Sequence, residues 1–136
     1  MKRAALTIAI VLVIGVAASA FAEDVPMTGS GAFPAAMGKV SYNHDRNGNT
    51  RFAVHAKHLA RPDALTPAKS VYVVWIQPRG KDVEKAGTLA VNSDLEGSLA
   101  GTTPYQTFDV FVTAEDGPNV ERPSGPEVLR TTVQHH

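Results

Sequence analysis

Ser70 to Gln77 read SVYVVWIQ, and the six residues from Val71 to Ile76 are all β-branched or aromatic. Such side chains fit the pleated surface of a strand and disfavour a helix. Because the run shows no alternation of apolar and polar residues, we expect both of its faces to be covered. Pro78 follows and cannot donate a ladder hydrogen bond. The sequence therefore predicts a central, fully buried strand that ends at Pro78.

The residues on both sides of this strand predict further short strands separated by turns. A β-hairpin is predicted at Gly38–Leu59, where apolar and polar residues alternate in two arms. Further strands are predicted at Gly87–Val91, Ser98–Ala100, Thr107–Glu115 and Glu127–Gln134. Gly, Pro, Asn and Asp separate these segments, and none of them has the period of a helix. We predict an all-β fold, namely an antiparallel immunoglobulin-like β-sandwich of six to eight strands.

The register of the predicted hairpin depends on the length of its loop. A two-residue turn would pair Tyr42 with Ala53, and Tyr42 and Phe52 would then face opposite sides. A three-residue loop of Arg46–Gly48 pairs Tyr42 with Phe52 instead, which gives one apolar face. That loop needs a left-handed residue at its third position, where Gly48 stands. The sequence therefore predicts the three-residue loop.

The first 22 residues have the three-part layout of a secretory signal peptide. Met1–Arg3 are basic, Ala4–Ala20 are uncharged and apolar, and Ala20–Ala22 form a small-x-small cleavage pattern. We expect cleavage before Glu23 and an exported protein that is periplasmic or extracellular. The alternative is an uncleaved segment that anchors the chain, which would be its only connection to a membrane.

The remaining chain is predicted to contain one domain with a short lead-in. Residues 23–37 are rich in Gly, Ala, Ser and Pro, which predicts a flexible lead-in with a short edge strand near Gly31–Phe33. Residues 38–136 are predicted to form the β-sandwich domain. Loss of Lys2 and Arg3 with the signal peptide makes the formally neutral chain slightly acidic. Nucleic-acid binding is therefore disfavoured, because the chain has no surplus of positive charge for phosphates.

The sequence has no cysteine, which excludes disulfides, thiol catalysis, iron–sulfur clusters and cysteine-based zinc sites. The histidines are poorly spaced for a metal. His55 and His58 are three residues apart, and residues at that spacing face opposite sides of a regular strand. His135 and His136 are adjacent, and His44 lies near the hairpin tip. We therefore expect no metal and no other cofactor.

Other patterns of catalytic residues are weak. The acidic pairs Asp94 with Glu96 and Glu115 with Asp116 lie in or beside turns, and they lack the spacing of a calcium loop. Ser124 lacks the Gly-x-Ser-x-Gly pattern of a nucleophile elbow. We therefore expect no enzymatic activity and no catalytic residue.

Four aromatic residues allow two interpretations, a ligand platform or a packed core: Tyr72, Trp75, Phe108 and Phe111. They stand in the most apolar predicted strands, which favours the core.

From Ser70 onward the sequence resembles the C-terminal extracytoplasmic domain of anti-sigma-K factors, over about residues 70–130. The resemblance rests on four blocks, Tyr72–Trp75, Gly87–Val91, Phe111–Glu115 and Pro123–Pro126 leading into Val128-Leu129. The residues taken as the structural motif are Tyr72, Trp75, Gly87, Phe108, Phe111, Thr113, Glu115, Pro123 and Gly125. The resemblance implies a β-sandwich outside the cytoplasmic membrane. In that family a transmembrane helix links this domain to a cytoplasmic sigma-binding domain, which we do not expect here because only Met1–Arg3 precede the apolar segment.

Two kinds of function follow as expectations. The first is a non-enzymatic module that acts by protein contact or sensing in the cell envelope, with an unknown envelope protein as its partner. The alternative is an envelope protein that binds a small molecule or a carbohydrate in a pocket among the loops at one end of the sandwich.

Overall fold

The computed structural model describes residues 23–134, which form eight β-strands and one short 3-10 helix at Pro62–Ala64. The strands are β1 Glu23–Gly29, β2 Met37–His44, β3 Thr50–Lys57, β4 Val71–Pro78, β5 Glu84–Leu89, β6 Gly97–Thr103, β7 Phe108–Glu115 and β8 Glu127–Val133. All of the neighbouring strands are antiparallel, so the prediction of an all-β antiparallel fold is confirmed. The predicted signal peptide, residues 1–22, lies outside the described residues, as do His135 and His136. Within residues 23–134 no helix is long and apolar enough to cross a membrane.

The strands form one continuous sheet in the order β5-β4-β7-β8-β1-β2-β3-β6. β1 joins the two halves of this sheet, because Glu23–Met27 pair with β2 whereas Thr28 and Gly29 pair with β8. The sheet curls until its two end strands approach each other. A Cβ atom added to Gly97, the first residue of β6, would lie 2.7 Å from the carbonyl oxygen of Ala90, which directly follows β5. The sheet is therefore nearly closed around its apolar interior.

β4 is the predicted buried strand, and both of its faces are covered as predicted. One face contributes to the main core through Tyr72, Val74 and Ile76. The opposite face carries Val73 and Trp75, which pack with Phe111 of β7. The strand ends at Pro78, also as predicted. Its predicted central place is wrong, because only β5 lies beyond it, whereas β8 and β1 occupy the middle of the sheet.

The hairpin of β2 and β3 has the predicted register. Tyr42 pairs with Phe52, and Val40 pairs with Val54. Gly48 has a φ of +85°, the left-handed conformation that the three-residue loop requires. This register puts the large apolar side chains of both strands on the core side of the sheet.

Replacing Gly48 by alanine should lower the free energy of unfolding by about 1–2 kcal/mol, because a Cβ atom strains a left-handed residue. Gly31→Ala is the matched control, since a Cβ atom there meets nothing within 4 Å and the φ of Gly31 is not left-handed. Urea unfolding of both variants checks the difference. Equal stability of the two variants would contradict the loop geometry.

The predicted lead-in at residues 23–37 needs a correction, because its first seven residues form β1. Val25 and Met27 are two residues apart in β1 and both pack against the main core, and Met27 is buried. This burial stabilises a strand although the segment is rich in Gly and Pro. The expected edge strand at Gly31–Phe33 is wrong, because those residues belong to the turn between β1 and β2. The folded domain therefore includes Glu23–Gly29, which precede the predicted start at Gly38.

A second, smaller apolar group lies on the face of β4 and β7 that points away from the main core. We call Val73, Trp75 and Phe111 the outer cluster. Three half-buried valines pack against it: Val71, Val83 and Val120. Val120 comes from the long loop between β7 and β8, residues 116–126, which we call the covering loop. This loop explains why an outward face of the sheet can be apolar.

Candidate functional site

The carboxylate of Glu115, at the end of β7, is fully buried and is held by four hydrogen-bond donors. The Thr113 hydroxyl donates to Oε2 at 2.6 Å, and the Ser124 hydroxyl donates to Oε1 at 2.6 Å. The backbone N–H groups of Ser124 and Gly125 donate to the same carboxylate at 3.0 and 3.1 Å. Glu115 therefore fastens the end of the covering loop to β7.

The Thr113 hydroxyl is also held from its other side, by Trp75. The indole Nε1–H donates to Thr113 Oγ1 at 2.8 Å, and both residues are buried. A hydroxyl can accept one hydrogen bond while donating its own proton. The Thr113 proton therefore goes to Glu115, and the order Trp75, Thr113, Glu115 forms a directed chain of hydrogen bonds.

The pKa of the Glu115 carboxyl is lowered from its ordinary value of 4.5. Burial by itself raises this pKa, because a buried carboxylate loses its hydration. The hydrogen bonds from the Ser124 and Thr113 hydroxyls and from the backbone of Ser124 and Gly125 outweigh that effect. No ion pair to Glu115 occurs within residues 23–134. The folded chain is therefore built around an ionised carboxylate that is stabilised by N–H and O–H dipoles.

Gly125 is fixed by the close approach of the covering loop to β7. A Cβ atom at this position would overlap the carbonyl oxygen of Ala114. The Ala114 N–H donates to the carbonyl oxygen of Pro126 at 3.0 Å, which aligns the loop end with the strand. Only glycine fits between these two backbones.

The covering loop is fastened at two further points. The Lys85 ammonium donates to the carbonyl oxygens of Pro118 and Val120 at 2.7 and 2.9 Å. Lys69 forms an ion pair with Asp116 at 3.3 Å. These contacts, together with Glu115, hold Val120 against the outer cluster.

The structure brings four residues of the predicted motif together, namely Trp75, Thr113, Glu115 and Gly125, and Phe111 packs beside Trp75. The others lie elsewhere. Tyr72 is buried in the main core, where its hydroxyl donates to the carbonyl oxygen of Ala60, and Phe108 packs on Phe52. Gly87 lies at a bulge of β5 and has a φ of +150°. Pro123 precedes Ser124 in the covering loop. The predicted role of the aromatic residues as core is consistent with the burial of all four.

A cavity of about 710 Å³ opens at one end of the sheet. We call it the end cavity. Its walls come from the β1–β2 connection, the β3–β4 connection, β4 and the start of β8: residues 32–36, 58–60 and 64–67 with Tyr72, Pro126 and Val128. Most of these residues are Ala, Pro, Leu, Val or Phe, so the walls are predominantly apolar. The volume lies within the range of about 300–1,000 Å³ that is typical of small-molecule sites.

The backbone at one wall of the end cavity is unusual. His58 has a φ of +58° directly after β3, and Leu95 has a φ of +62°. The two turns are joined, because the Leu59 N–H donates to the Leu95 carbonyl oxygen at 3.0 Å. Left-handed residues other than glycine are uncommon and persist where the surrounding contacts fix them. The position of His58 at the cavity wall is therefore set by the backbone.

The histidines within the described residues do not come together. His55 points outward from β3, His58 lines the end cavity, and Nδ1 of His44 lies 2.9 Å from Thr50 Oγ1. No group of three or more His, Cys, Asp or Glu side chains within residues 23–134 could hold a metal ion.

Adding EDTA should leave the melting temperature of the chain unchanged, because we expect its stability to come from apolar burial rather than from a bound ion. A thermal melt followed by circular dichroism checks this. A decrease of about 4–8 °C would correspond to about 1 kcal/mol of metal-linked stability and would contradict the prediction.

The sequence allows a pocket among the loops at one end of the fold, but it does not identify the residues of the end cavity or the role of Ser124. The sequence signal for the cavity is the clustering of Ala and Pro at Ala32–Ala36 and Ala60–Pro67, which leaves space between connections. The sequence pattern around Ser124 argues only against a nucleophile, whereas in the structure its hydroxyl and its N–H both donate hydrogen bonds to Glu115.

No family model and no curated protein sequence matches this chain.

Proposed function

We propose that the chain is an exported, non-enzymatic binding protein of the cell envelope, whose ligand is a small apolar molecule held in the end cavity. The observation that carries this proposal is the cavity itself, about 710 Å³ with predominantly apolar walls. Burial of apolar ligand surface in such a site is the main source of affinity for small ligands. Of the two functions left open by the sequence, this geometry favours the small-molecule ligand.

Contact with a protein partner has less support. Among residues 23–134 the large apolar side chains that are exposed are Met37 and Leu95. Cores of protein interfaces are usually richer in exposed aromatic and large apolar side chains. An envelope protein that recognises the ligand-bound state remains compatible with the proposal.

The arrangement at Glu115 supports a non-enzymatic role. A catalytic carboxyl group must be able to reach a substrate atom or an intervening water. The Glu115 oxygens are instead occupied by donors from Thr113, Ser124 and Gly125. We therefore assign this carboxylate a role in stabilising the folded chain rather than in catalysis.

The resemblance to anti-sigma-K extracytoplasmic domains adds a sensing role to the proposal, with ligand binding outside the membrane as the sensed event. An immunoglobulin-like sandwich is the finer fold that goes with it. The division of β1 between β2 and β8 supports this fold, because strands that change sheets occur at sandwich edges. The topology departs from the immunoglobulin fold at one point. In that fold the second strand, B, pairs with strand E, whereas here β2 pairs with β3, the strand that follows it directly.

Titration with 1-octanol, followed by the amide chemical shifts of the full chain, tests the proposed ligand site. We expect saturable shifts at Leu65 and Val128, which line the cavity. Ala64→Phe should weaken binding at least about tenfold by filling the cavity, because Ala64 lines it and is exposed. Ala68→Phe is the matched control, since Ala68 is an exposed alanine of the same connection outside the lining. Unsaturable shifts, or equal loss of binding in both variants, would refute the cavity as the site.

Mass spectrometry of the secreted or periplasmic fraction tests the proposed export. The mature protein should begin at Glu23 or within a few residues of it. Replacing Ala20 and Ala22 by leucine should retain the full-length chain in the membrane fraction, because both small residues of the cleavage pattern are lost. An intact Met1 in the unmodified chain would instead indicate an anchor.

A further inference from the structure

We propose that the end cavity selects carboxylates that carry a hydrocarbon chain, and that His58 binds the carboxylate head. This inference rests on the proposed function, because it names the class of ligand for the same cavity.

The argument begins with the charges at the cavity wall. Among the lining residues, His58 is the only side chain that can carry positive charge, and no lining residue is acidic. An imidazole can donate an N–H to a carboxylate, and when protonated it does so with charge assistance. A cationic head group would find no carboxylate in the wall to pair with.

Charged residues of both signs lie near the cavity but outside its lining, and Lys57 shares a neighbouring surface pocket with Glu96. Lys57 and His58 are consecutive and exposed. The nearest acidic residue along the chain, Asp63, is exposed and forms an ion pair with Arg61 at 3.9 Å. Asp94 and Glu96 flank the Leu95 turn, but neither lines the cavity. His58 is therefore the one lining side chain that can carry positive charge, and the preference for an anion rests on its imidazole.

The remaining wall favours hydrocarbon. Tyr72 contributes a hydroxyl, but its proton is donated to the Ala60 carbonyl oxygen at 2.6 Å. Phe33, Leu65 and Val128 add apolar surface to the lining. The affinity should therefore rise about fourfold per added methylene group from hexanoate to octanoate, as expected when each CH₂ is buried.

The experiment compares octanoate, 1-octanol and octylammonium at about pH 6, within the range in which histidine side chains take up a proton. Binding is followed by the amide shifts of the full chain. Octanoate should bind about two- to fivefold more tightly than 1-octanol, which is the size of effect expected for an exposed charge pair. Octylammonium should bind more weakly than 1-octanol.

Two variants assign the effect. His58→Asn should abolish the preference for octanoate over 1-octanol, because asparagine tolerates the left-handed conformation but carries no charge. His55→Asn is the matched control on the outward face of β3 and should keep the preference. Equal binding of octanoate and 1-octanol, or a preference that survives in His58→Asn, would overturn the inference but leave the proposed function standing. If none of the three probes binds in the cavity, both proposals fail.

Discussion

Replacing Trp75 by alanine should lower the free energy of unfolding by about 3–5 kcal/mol, the usual cost of removing a large buried aromatic side chain. Trp75 is fully buried, and it lies in the outer cluster between β4 and the covering loop. The variant removes apolar burial and also leaves Thr113 without its indole donor. Urea unfolding followed by circular dichroism measures the loss, since the chain has no other tryptophan to report by fluorescence.

Trp75→Phe separates the two contributions. The phenyl ring keeps part of the packing but removes the indole N–H, so we expect a smaller loss of about 1–2 kcal/mol. A decrease of less than about 1 kcal/mol in the free energy of unfolding of Trp75→Ala would show that the outer cluster does not stabilise the fold. A loss in Trp75→Phe as large as in Trp75→Ala would show that the hydrogen bond matters more than the packing.

Glu115→Gln should lower the free energy of unfolding by about 2–4 kcal/mol at pH 7. The glutamine side chain has nearly the same shape, but it is uncharged and its amide N–H₂ group would face donors. The hydroxyls of Thr113 and Ser124 and the N–H groups of Ser124 and Gly125 would then lose charge-assisted bonds. Glu121→Gln is the matched control, because Glu121 is an exposed carboxylate of the same covering loop.

The cost of Glu115→Gln should also depend on pH. Because folding lowers the pKa of Glu115 below 4.5, its ionised form contributes stability above about pH 4.5. That contribution is lost as the pH falls through the lower pKa of the folded state. The difference in stability between the original chain and Glu115→Gln should therefore shrink below pH 4.5. A difference that stayed constant down to pH 3 would contradict an ionised carboxylate.

Local sequence patterns predicted those parts of the fold that depend on neighbouring residues. The apolar run of β4 predicted its two covered faces, and Gly48 predicted the loop and register of β2 and β3. β7 and β8 were also predicted, because their apolar residues alternate or end the strand. In these cases one element, or two elements joined by a short turn, contain the whole signal.

Long-range contacts account for what the sequence did not predict. β1 is stabilised by pairing with β2, by the short pairing of Thr28 and Gly29 with β8 and by burial of Met27 in a core that distant strands complete. Glu115 was recognised as a motif residue, but its bonds to Ser124 and Gly125 depend on how the covering loop returns to β7. The end cavity needs two connections and β8 together, so no single segment signals it.

The neighbouring positions of β1 and β8 have a consequence for the order of folding. β1 cannot complete its pairing until β8, far along the chain, has been synthesised. Contacts between residues far apart in sequence must overcome the entropy of closing a long loop, which makes such topologies slow to fold. A growing chain of this sequence should therefore stay incompletely folded until its final residues are available. Delayed folding of this kind would suit the export that we propose, in which the chain crosses a membrane as an extended polypeptide.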